Sequence, residues 1–334
     1  MFYSSGDGDR LPDVTVVIPA YNGSLYLATT IASLLAQTHR DFRMFVVDDR
    51  SDDNSVAIAR AFEDPRLTVT MNAERRGLAG NWNVAQSLAT TSYLLIAHQD
   101  DVYSPDFLAR MTRLLDEHPR AFIAHSRVQY LDGRGRTFRP AAARFKDRFW
   151  PEDDPYEREP AAELAALQGG NYIVCPSVLY RSSAVRAIGR FNESLTFVPD
   201  WEYWIRGLSQ GFSIVGTHEQ LLQWRRHETT ATSREEATLR RYDEELALLE
   251  WIARETPLET KLSAVENTLL SDFASHLARG DEERAAALYD YARRRLPASH
   301  MIHAVMRTGM MFGRPGGFAL RLAESAYTRV GRPR

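Results

Sequence analysis

The sequence predicts an α/β fold, a mainly parallel sheet flanked by helices, with a C-terminal helical appendage. Three observations carry this. Short β-rich runs, apolar on both faces, alternate with segments of helical spacing as far as about residue 130. Polar residues gather at the carboxyl end of each run. Beyond about residue 233 the strand pattern gives way to long stretches of helical character.

In order along the chain, VTVVIPA (Val14–Ala20) is the first strand. In the following LYLATTIASLLAQ, Leu27, Ile31, Leu34 and Leu35 share one helical face. FRMFVVD (Phe42–Asp48), LTVTMN (Leu67–Asn72) and YLLIAH (Tyr93–His98) are the next strands, with VAIARAF and VAQSLA as helical segments between them. A helix from Pro105 to about His118 precedes a strand, AFIAHSRVQYL. Residues 12–130 therefore read as a nucleotide-binding half, after a disordered start at 1–11. From Asp132 to Pro160 the chain is rich in Arg, Asp, Glu and Pro with little periodicity, which predicts a long excursion. Strand-like NYIVCPSVLY, a short helix at SSAVRAIG, a helix opening near Asp200, and two strands, FSIVGTH and LLQWRRH, complete a second half, 131–232. Three helical segments and a basic tail fill 233–334.

Composition narrows the function classes. The 334 residues are 44% hydrophobic and 25% charged, an ordinary globular balance. No apolar run approaches the roughly 20 residues that cross a bilayer. The start, MFYSSGDGDRLPD, has neither a basic n-region nor an apolar h-region, so a cytoplasmic protein is expected. Cys175 is the one cysteine, which excludes an internal disulfide and a cysteine zinc site. A net charge of −3 offers no field for nucleic acid. From Met301 to Arg334, however, six arginines face the single acid Glu324. With an apolar stripe of Met301, Ile302, Val305, Met306 and Met310, that tail predicts contact with an anionic inner-membrane surface, or packing on the catalytic domain.

In open α/β sheets, ligands bind outside the carboxyl ends of the strands. Here those ends carry PAYNGS, DDRSDDNS, NAERRGLAGN and HQDD. Each alone is compatible with turn and capping chemistry, but four successive ends converge on one rim. Neither GxGxxG nor GxxxxGK[ST] is present, which disfavours a dinucleotide dehydrogenase or a P-loop enzyme. The first loop also lacks the Gly-rich, basic character that grips a triphosphate, which weighs against a sugar nucleotidyltransferase. Adjacent Asp100 and Asp101 after a buried strand suit a hard divalent cation bridging to phosphates. The plainer alternative is that they precede a helix capped by Ser104 and Pro105.

The ordered set VTVVIPAYN, SLLAQT, VVDDRSDDNS, RGLAGNWNVA, HQDDVYSPDFL and DWEYWIR resembles glycosyltransferase family 2, across residues 12–230. The resemblance implies a GT-A fold, a nucleotide-diphosphate sugar donor and inverting transfer to a hydroxyl of a glycan or lipid-linked acceptor. Pro19, Ala20, Tyr21 and Asn22 match the loop around the base and ribose. Asp49 matches the acid that reads a pyrimidine N–H, pointing to a UDP- or dTDP-sugar, and Arg76, Gly77 and Asn81 match the pocket lining. Asp100 and Asp101 match the DXD signature, written here Gln-Asp-Asp, with Asp101 the direct ligand of Mn²⁺ or Mg²⁺. His227 matches a third metal or diphosphate contact, with Arg225 or Arg226 facing the leaving group. Asp200 matches the general base; its place at a helix start independently favours an ionised carboxylate. Glu202 is the supporting acid, while Trp201 and Trp204 either stack on a sugar or pack in the core. The rival functions are a sugar nucleotidyltransferase and a non-catalytic nucleotide-sugar binding module.

Overall fold

In the computed structural model the described residues are 13–140, 143, 146–227, 239–256 and 262–330, with the side chains of the last helix described as far as residue 320. The N-terminal segment 1–11, the stretch directly after His227, and the side chains of Arg321, Arg329, Arg332 and Arg334 lie outside them. The chain divides into two compact units: residues 1–138, 151–163 and 173–227, and residues 139–150, 164–172 and 228–334.

The first unit is built on one ten-stranded sheet. Strands β1 (Val14–Ala20), β2 (Phe42–Asp48), β3 (Leu67–Met71) and β4 (Tyr93–Ile96) pair in parallel in the order β3-β2-β1-β4. Helices α1 (Leu27–Leu35), α2 (Ser55–Arg60) and α3 (Gly77–Leu88) lie between them in sequence. The order reverses between β1 and β4, which is the topological switch point where open α/β sheets bind ligands.

Beyond β4 the sheet becomes mixed. It continues through β9 (Val178–Arg181), β6 (Ala121–Leu131), β10 (Ser213–Arg225) and β5 (Val102–Tyr103). Strand β9 is antiparallel to both β4 and β6, whereas β10 runs parallel to β6. Two short strands, β7 (Thr137–Phe138) and β8 (Tyr156–Arg158), pair with β6 and β10 from within the excursion. The boundary drawn at residue 130 falls inside β6, so one sheet runs through both expected halves. The two strands expected at FSIVGTH and LLQWRRH are one continuous β10, with register shifts between Thr217 and Leu222. NYIVCPSVLY is strand only at its end. A 3₁₀ turn at Cys175–Ser177 precedes β9, and Pro176 has no N–H to donate to a ladder.

Alternation decides the packing. Val14, Val16 and Ile18 of β1 point to one side with Met44 and Val46 of β2. They join Leu27, Ile31 and Leu34 of α1 and Met111 and Leu115 of α4 (Phe107–Glu117) in one core. Each such side chain contributes about 1.5–3 kcal/mol by leaving water. Elsewhere in the unit aromatic rings interlock: Trp82 of α3 meets Phe191 edge-on at 5.2 Å, and Phe191 stacks on Tyr203 at 4.2 Å. Tyr203 lies on α7 (Pro199–Ser209), preceded in the chain by α5 (Pro160–Gln168) and α6 (Ser182–Ile188).

The second unit contains α8 (Arg240–Glu255), α9 (Ser263–Arg279), α10 (Glu282–Arg295) and α11 (His300–Val330). Helix α9 ends on Gly280, in left-handed conformation at φ 82°, and the Asp281 carboxylate caps α10 by accepting from Arg284 N. Helix α11 is interrupted at Gly313 (φ 56°, ψ −137°), two residues before Pro315. Among the described residues, no helix is long and apolar enough to cross a membrane.

Candidate active site

The rim above the switch point is assembled from backbone clamps. After β1 the chain turns through Asn22 at φ 50°. Asn22 N donates to Ser51 Oγ at 2.9 Å, and its Oδ1 accepts from Asp52 N at 2.9 Å. Gly23 N donates to Ser55 Oγ and Ser24 N to Asp53 Oδ2, which ties the Pro19–Asn22 loop to the loop after β2. From the other side, Gln99 grips Tyr21 twice: Tyr21 N donates to Gln99 Oε1 at 2.9 Å, and Gln99 Nε2 donates to Tyr21 O at 3.1 Å. That grip needs glycine at position 23, because a Cβ there would lie 2.3 Å from Gln99 Oε1. The Tyr21 ring carries the Arg75 guanidinium 4.0 Å from its centroid.

Asp49 is buried at the start of α3. Its Oδ1 accepts from Asn72 Nδ2 (2.8 Å) and Arg76 N (2.7 Å), and its Oδ2 from Gly77 N (2.9 Å). Gly77 enters the helix at φ 73°, a backbone conformation that glycine adopts without strain. Asn81 is also occupied: its Oδ1 accepts from Asn72 and its Nδ2 donates to Val47 O. Asp49 and Asn81 therefore join α3 to the end of β2. The Arg76 side chain is exposed and pairs with Glu74 at 3.4 Å.

The acid pair lies across the switch point. Asp101 is 0% exposed; its Oδ1 accepts from Arg225 N at 2.8 Å, and its Oδ2 has no hydrogen-bond partner among the described residues. Burial, with the charge of Asp100, pushes the Asp101 carboxyl well above the usual carboxylate range, opposed by the Arg225 N–H and guanidinium charge. Arg225 Nε donates to Asp100 O, Thr30 Oγ1 donates to Asp101 O, and the His227 ring nitrogen Nε2 lies 2.9 Å from Asp100 Oδ2. Arg225 and His227 thus both contact the acid pair. Arg225 is 7% exposed, with its guanidinium over Tyr26 at 4.5 Å. Of the two arginines expected near the leaving group, Arg225 has its Nε on Asp100 O and its guanidinium on the Tyr26 ring.

His98, two residues before Asp100, completes the cluster. Ligand atoms of His98, Asp100 and Asp101 lie within 4.8 Å of one another. His98 Nε2 is buried without a partner among the described residues, and burial pushes the imidazole's pKa below its usual value, with Asp100 opposing. A neutral imidazole nitrogen, two carboxylates and an unpartnered buried Asp101 oxygen fit a divalent cation such as Mn²⁺, which accepts mixed nitrogen and oxygen ligands. His98 is not among the residues the sequence motifs single out; its position directly ahead of Gln-Asp-Asp is the one signal the sequence offers. His227 reaches this cluster through Asp100.

Asp200 stands in the first turn of α7, where Pro199 and the helix dipole suit an anion, and its Oδ1 accepts from Trp201 N at 2.7 Å. The buried Cys175 thiol is pushed up first by burial, then by the charge of Asp200 and also by that of Asp101. Glu202 is taken by Arg206 (2.8 and 3.0 Å), which also donates to Ile188 O and Arg190 O. Trp201 is 3% exposed and Trp204 buried. Their indoles pack into the core, and the stacking face expected of Trp201 is not open.

Fold and site together define an α/β protein with a ligand-binding rim at a topological switch point, and sequence comparison supplies its family. A family model described as glycosyl transferase family 2 matches residues 15–189, more than half of the chain; the protein belongs to that family. It is 26% identical over 228 residues to an uncharacterised glycosyltransferase of Rickettsia typhi, covering 66% of each chain. It is 34% identical over 127 residues to the succinoglycan biosynthesis protein ExoO of Rhizobium meliloti, covering 38% of this chain and 36% of that one. Among solved structures, S. aureus TarS 1–349 in complex with UDP-GlcNAc superposes with a TM-score of 0.58 at 18% identity, over 96% of this chain and 93% of that one. That likeness establishes a shared fold.

Proposed function

We propose that the protein is an inverting glycosyltransferase that moves a sugar from a nucleoside-diphosphate donor, a UDP- or dTDP-sugar, to a hydroxyl of a glycan or lipid-linked acceptor. The observation that carries this reading is the His98–Asp100–Asp101 cluster in the segment that follows β4 at the β1/β4 switch point. The likeness to ExoO, a succinoglycan biosynthesis protein, supports a setting such as surface polysaccharide or glycolipid assembly, and the fold shared with TarS, solved with UDP-GlcNAc, supports a nucleotide-sugar donor.

In this reading the Pro19–Asn22 loop, pinned by Gln99 and Ser51, cradles the base and ribose, with Tyr21 and Arg76 as contacts. Asp49, Gly77 and Asn81 shape the floor of that pocket. His98, Asp100 and Asp101 would hold a divalent ion, which would supply positive charge to neutralise the departing diphosphate. His227 orients Asp100, and Arg225 fixes the backbone of the acid pair. A carboxylate oxygen of Asp200 accepts the acceptor's proton as the new glycosidic bond forms and the bond to the diphosphate breaks. No covalent enzyme intermediate is required.

A panel of nucleotide sugars scored by thermal shift, with and without Mn²⁺, tests the donor. A donor at a hundred times its Kd adds about 2.7 kcal/mol of stability. Release of nucleoside diphosphate that depends on acceptor supports transfer. Pyrophosphate formed from a sugar phosphate and a nucleoside triphosphate would instead identify a nucleotidyltransferase, and donor binding without turnover a binding module.

A further inference from the structure

Helix α11 carries four large apolar side chains on its outside, Met301, Met311, Phe312 and Phe318. Before the Gly313 break its exposed face follows a helical stripe through Met301, Ala304, Thr308, Met311 and Phe312, with Val305 half-buried among them. Met301 is 78% exposed, Met311 79% and Phe312 66%; beyond the break Phe318 is 55% exposed. Half of the large hydrophobic side chains exposed among the described residues lie on this one helix.

The inward face uses small residues where bulk would clash. A Cβ on Gly309 would lie 3.0 Å from the Phe273 ring, and one on Gly317 would lie 2.4 Å from Ala278 N. Ile302 and Met306 are buried beside them. The apolar stripe expected from the sequence therefore divides: Ile302 and Met306 are buried, Val305 and Met310 half-buried, and Met301 faces out, joined there by Met311 and Phe312, which the expected stripe did not include. A water-facing helix ordinarily shows the reverse arrangement, polar outside and bulky apolar inside.

Charge identifies what covers this face. The chain has no acid from Leu296 to Ala323, and exposed Arg307 and Arg314 flank the stripe. Neither arginine has an ion-pair partner among the described residues; the Arg314 guanidinium lies across Gly280 at the end of α9. Glu282 lies beside Gly313 at one end and Glu266 accepts from Ser299 Oγ at the other, so the acid-free contact lies between them, within His300–Phe312, about 20 Å of helix. An apolar stripe bordered by cations and lacking acids is the pattern of a helix lying in a bilayer interface.

We propose that the outer face of α11 docks on an anionic membrane surface, with Met301, Met311 and Phe312 entering the headgroup boundary and Arg307 and Arg314 meeting lipid phosphates. The contact is peripheral and reversible, in keeping with a single short apolar stripe. It is independent of the transfer chemistry, so donor binding is unaffected by its loss.

The test is co-sedimentation of the full chain with vesicles of mixed phosphatidylglycerol and phosphatidylcholine, beside phosphatidylcholine alone. Wild type is expected to bind the anionic vesicles and to be released by added salt. The double variant Met311→Ser/Phe312→Ser is expected to lose at least about tenfold in affinity. Each of Arg307→Gln and Arg314→Gln should cost about fivefold on anionic vesicles only. All these side chains are exposed, so melting curves should match wild type. Unchanged binding by the Ser double variant, or no wild-type binding to either vesicle, would overturn the proposal. So would a dimer in sedimentation velocity that disappears in the Ser double variant, since the face would then be covered by a second copy.

Discussion

Replacing Gly23 by alanine should unlatch the nucleotide loop, and the size of the effect follows from two hydrogen bonds. The new Cβ would lie 2.3 Å from Gln99 Oε1 and 2.7 Å from Gln99 Cδ, both closer than any real contact. Those atoms are the end of a flexible side chain, so Gln99 swings aside and the backbone stays. It thereby releases Tyr21 N and Tyr21 O, bonded at 2.9 and 3.1 Å. At about 1 kcal/mol per bond, the loss is about 2 kcal/mol. For a unit of this size that lowers Tm by roughly 4–8 °C. Gln99→Ala removes the same two bonds without the clash and should cost a similar amount. Once Gln99 is truncated, Gly23→Ala has nothing left to displace. The double variant should therefore lose about 2 kcal/mol, against about 4 if the two effects were independent. Denaturant unfolding of the four proteins measures this, and donor affinity should weaken in parallel in all three variants. Additive losses, or a Gly23→Ala protein as stable as wild type, would refute the latch.

Asp200→Asn retains a side-chain oxygen for Trp201 N but accepts no proton; turnover should fall by about 10²–10⁴ with donor affinity and melting nearly unchanged, and near-normal transfer would remove Asp200 as base. Asp101→Asn keeps the acceptor for Arg225 N while removing a ligand charge, so metal-dependent donor binding should weaken sharply with little loss of fold; Asp49→Ala should weaken donor binding with or without metal and also destabilise by about 3 kcal/mol, because three donors lose their acceptor. In the helical unit, burial raises the Glu245 carboxyl to about 7 from 4.5, opposed by Arg241. Its folded pKa exceeds the unfolded one, so its contribution is full below about pH 4.5 and lost as pH rises through about 7; Glu245→Gln should remove up to about 3 kcal/mol of that slope in unfolding curves across the window.

Local pattern was enough for the elements that build the rim. Period-two and period-3.6 spacing is a property of the chain itself, so β1 and β2 stand where the apolar runs of VTVVIPA and FRMFVVD lie, and β3 and β4 end within two residues of theirs. The helical character after residue 233 likewise appears as α8 to α11. The ordered motifs PAYN, VVDD, RGL and QDD could be read because their spacing reflects strand ends repeated along one sheet.

Partners across long sequence separations could not be read that way. Gln99 belongs to the metal-motif segment by position, yet its amide acts on Tyr21, 78 residues away. Arg225 reads as a cation for a phosphate, but the pairing of β10 with β5 buries it against Asp100 and Asp101, where carbonyls and a ring occupy its guanidinium. His98 ends a buried run, and only the turn into Asp100 and Asp101 brings its nitrogen to their oxygens. Helix α11 states the division most simply. Periodicity determined which of its residues share a face, but two of its faces are apolar. Which one is covered depended on where glycines allow α9 to approach, and that is a property of two surfaces meeting, which no single stretch of sequence contains.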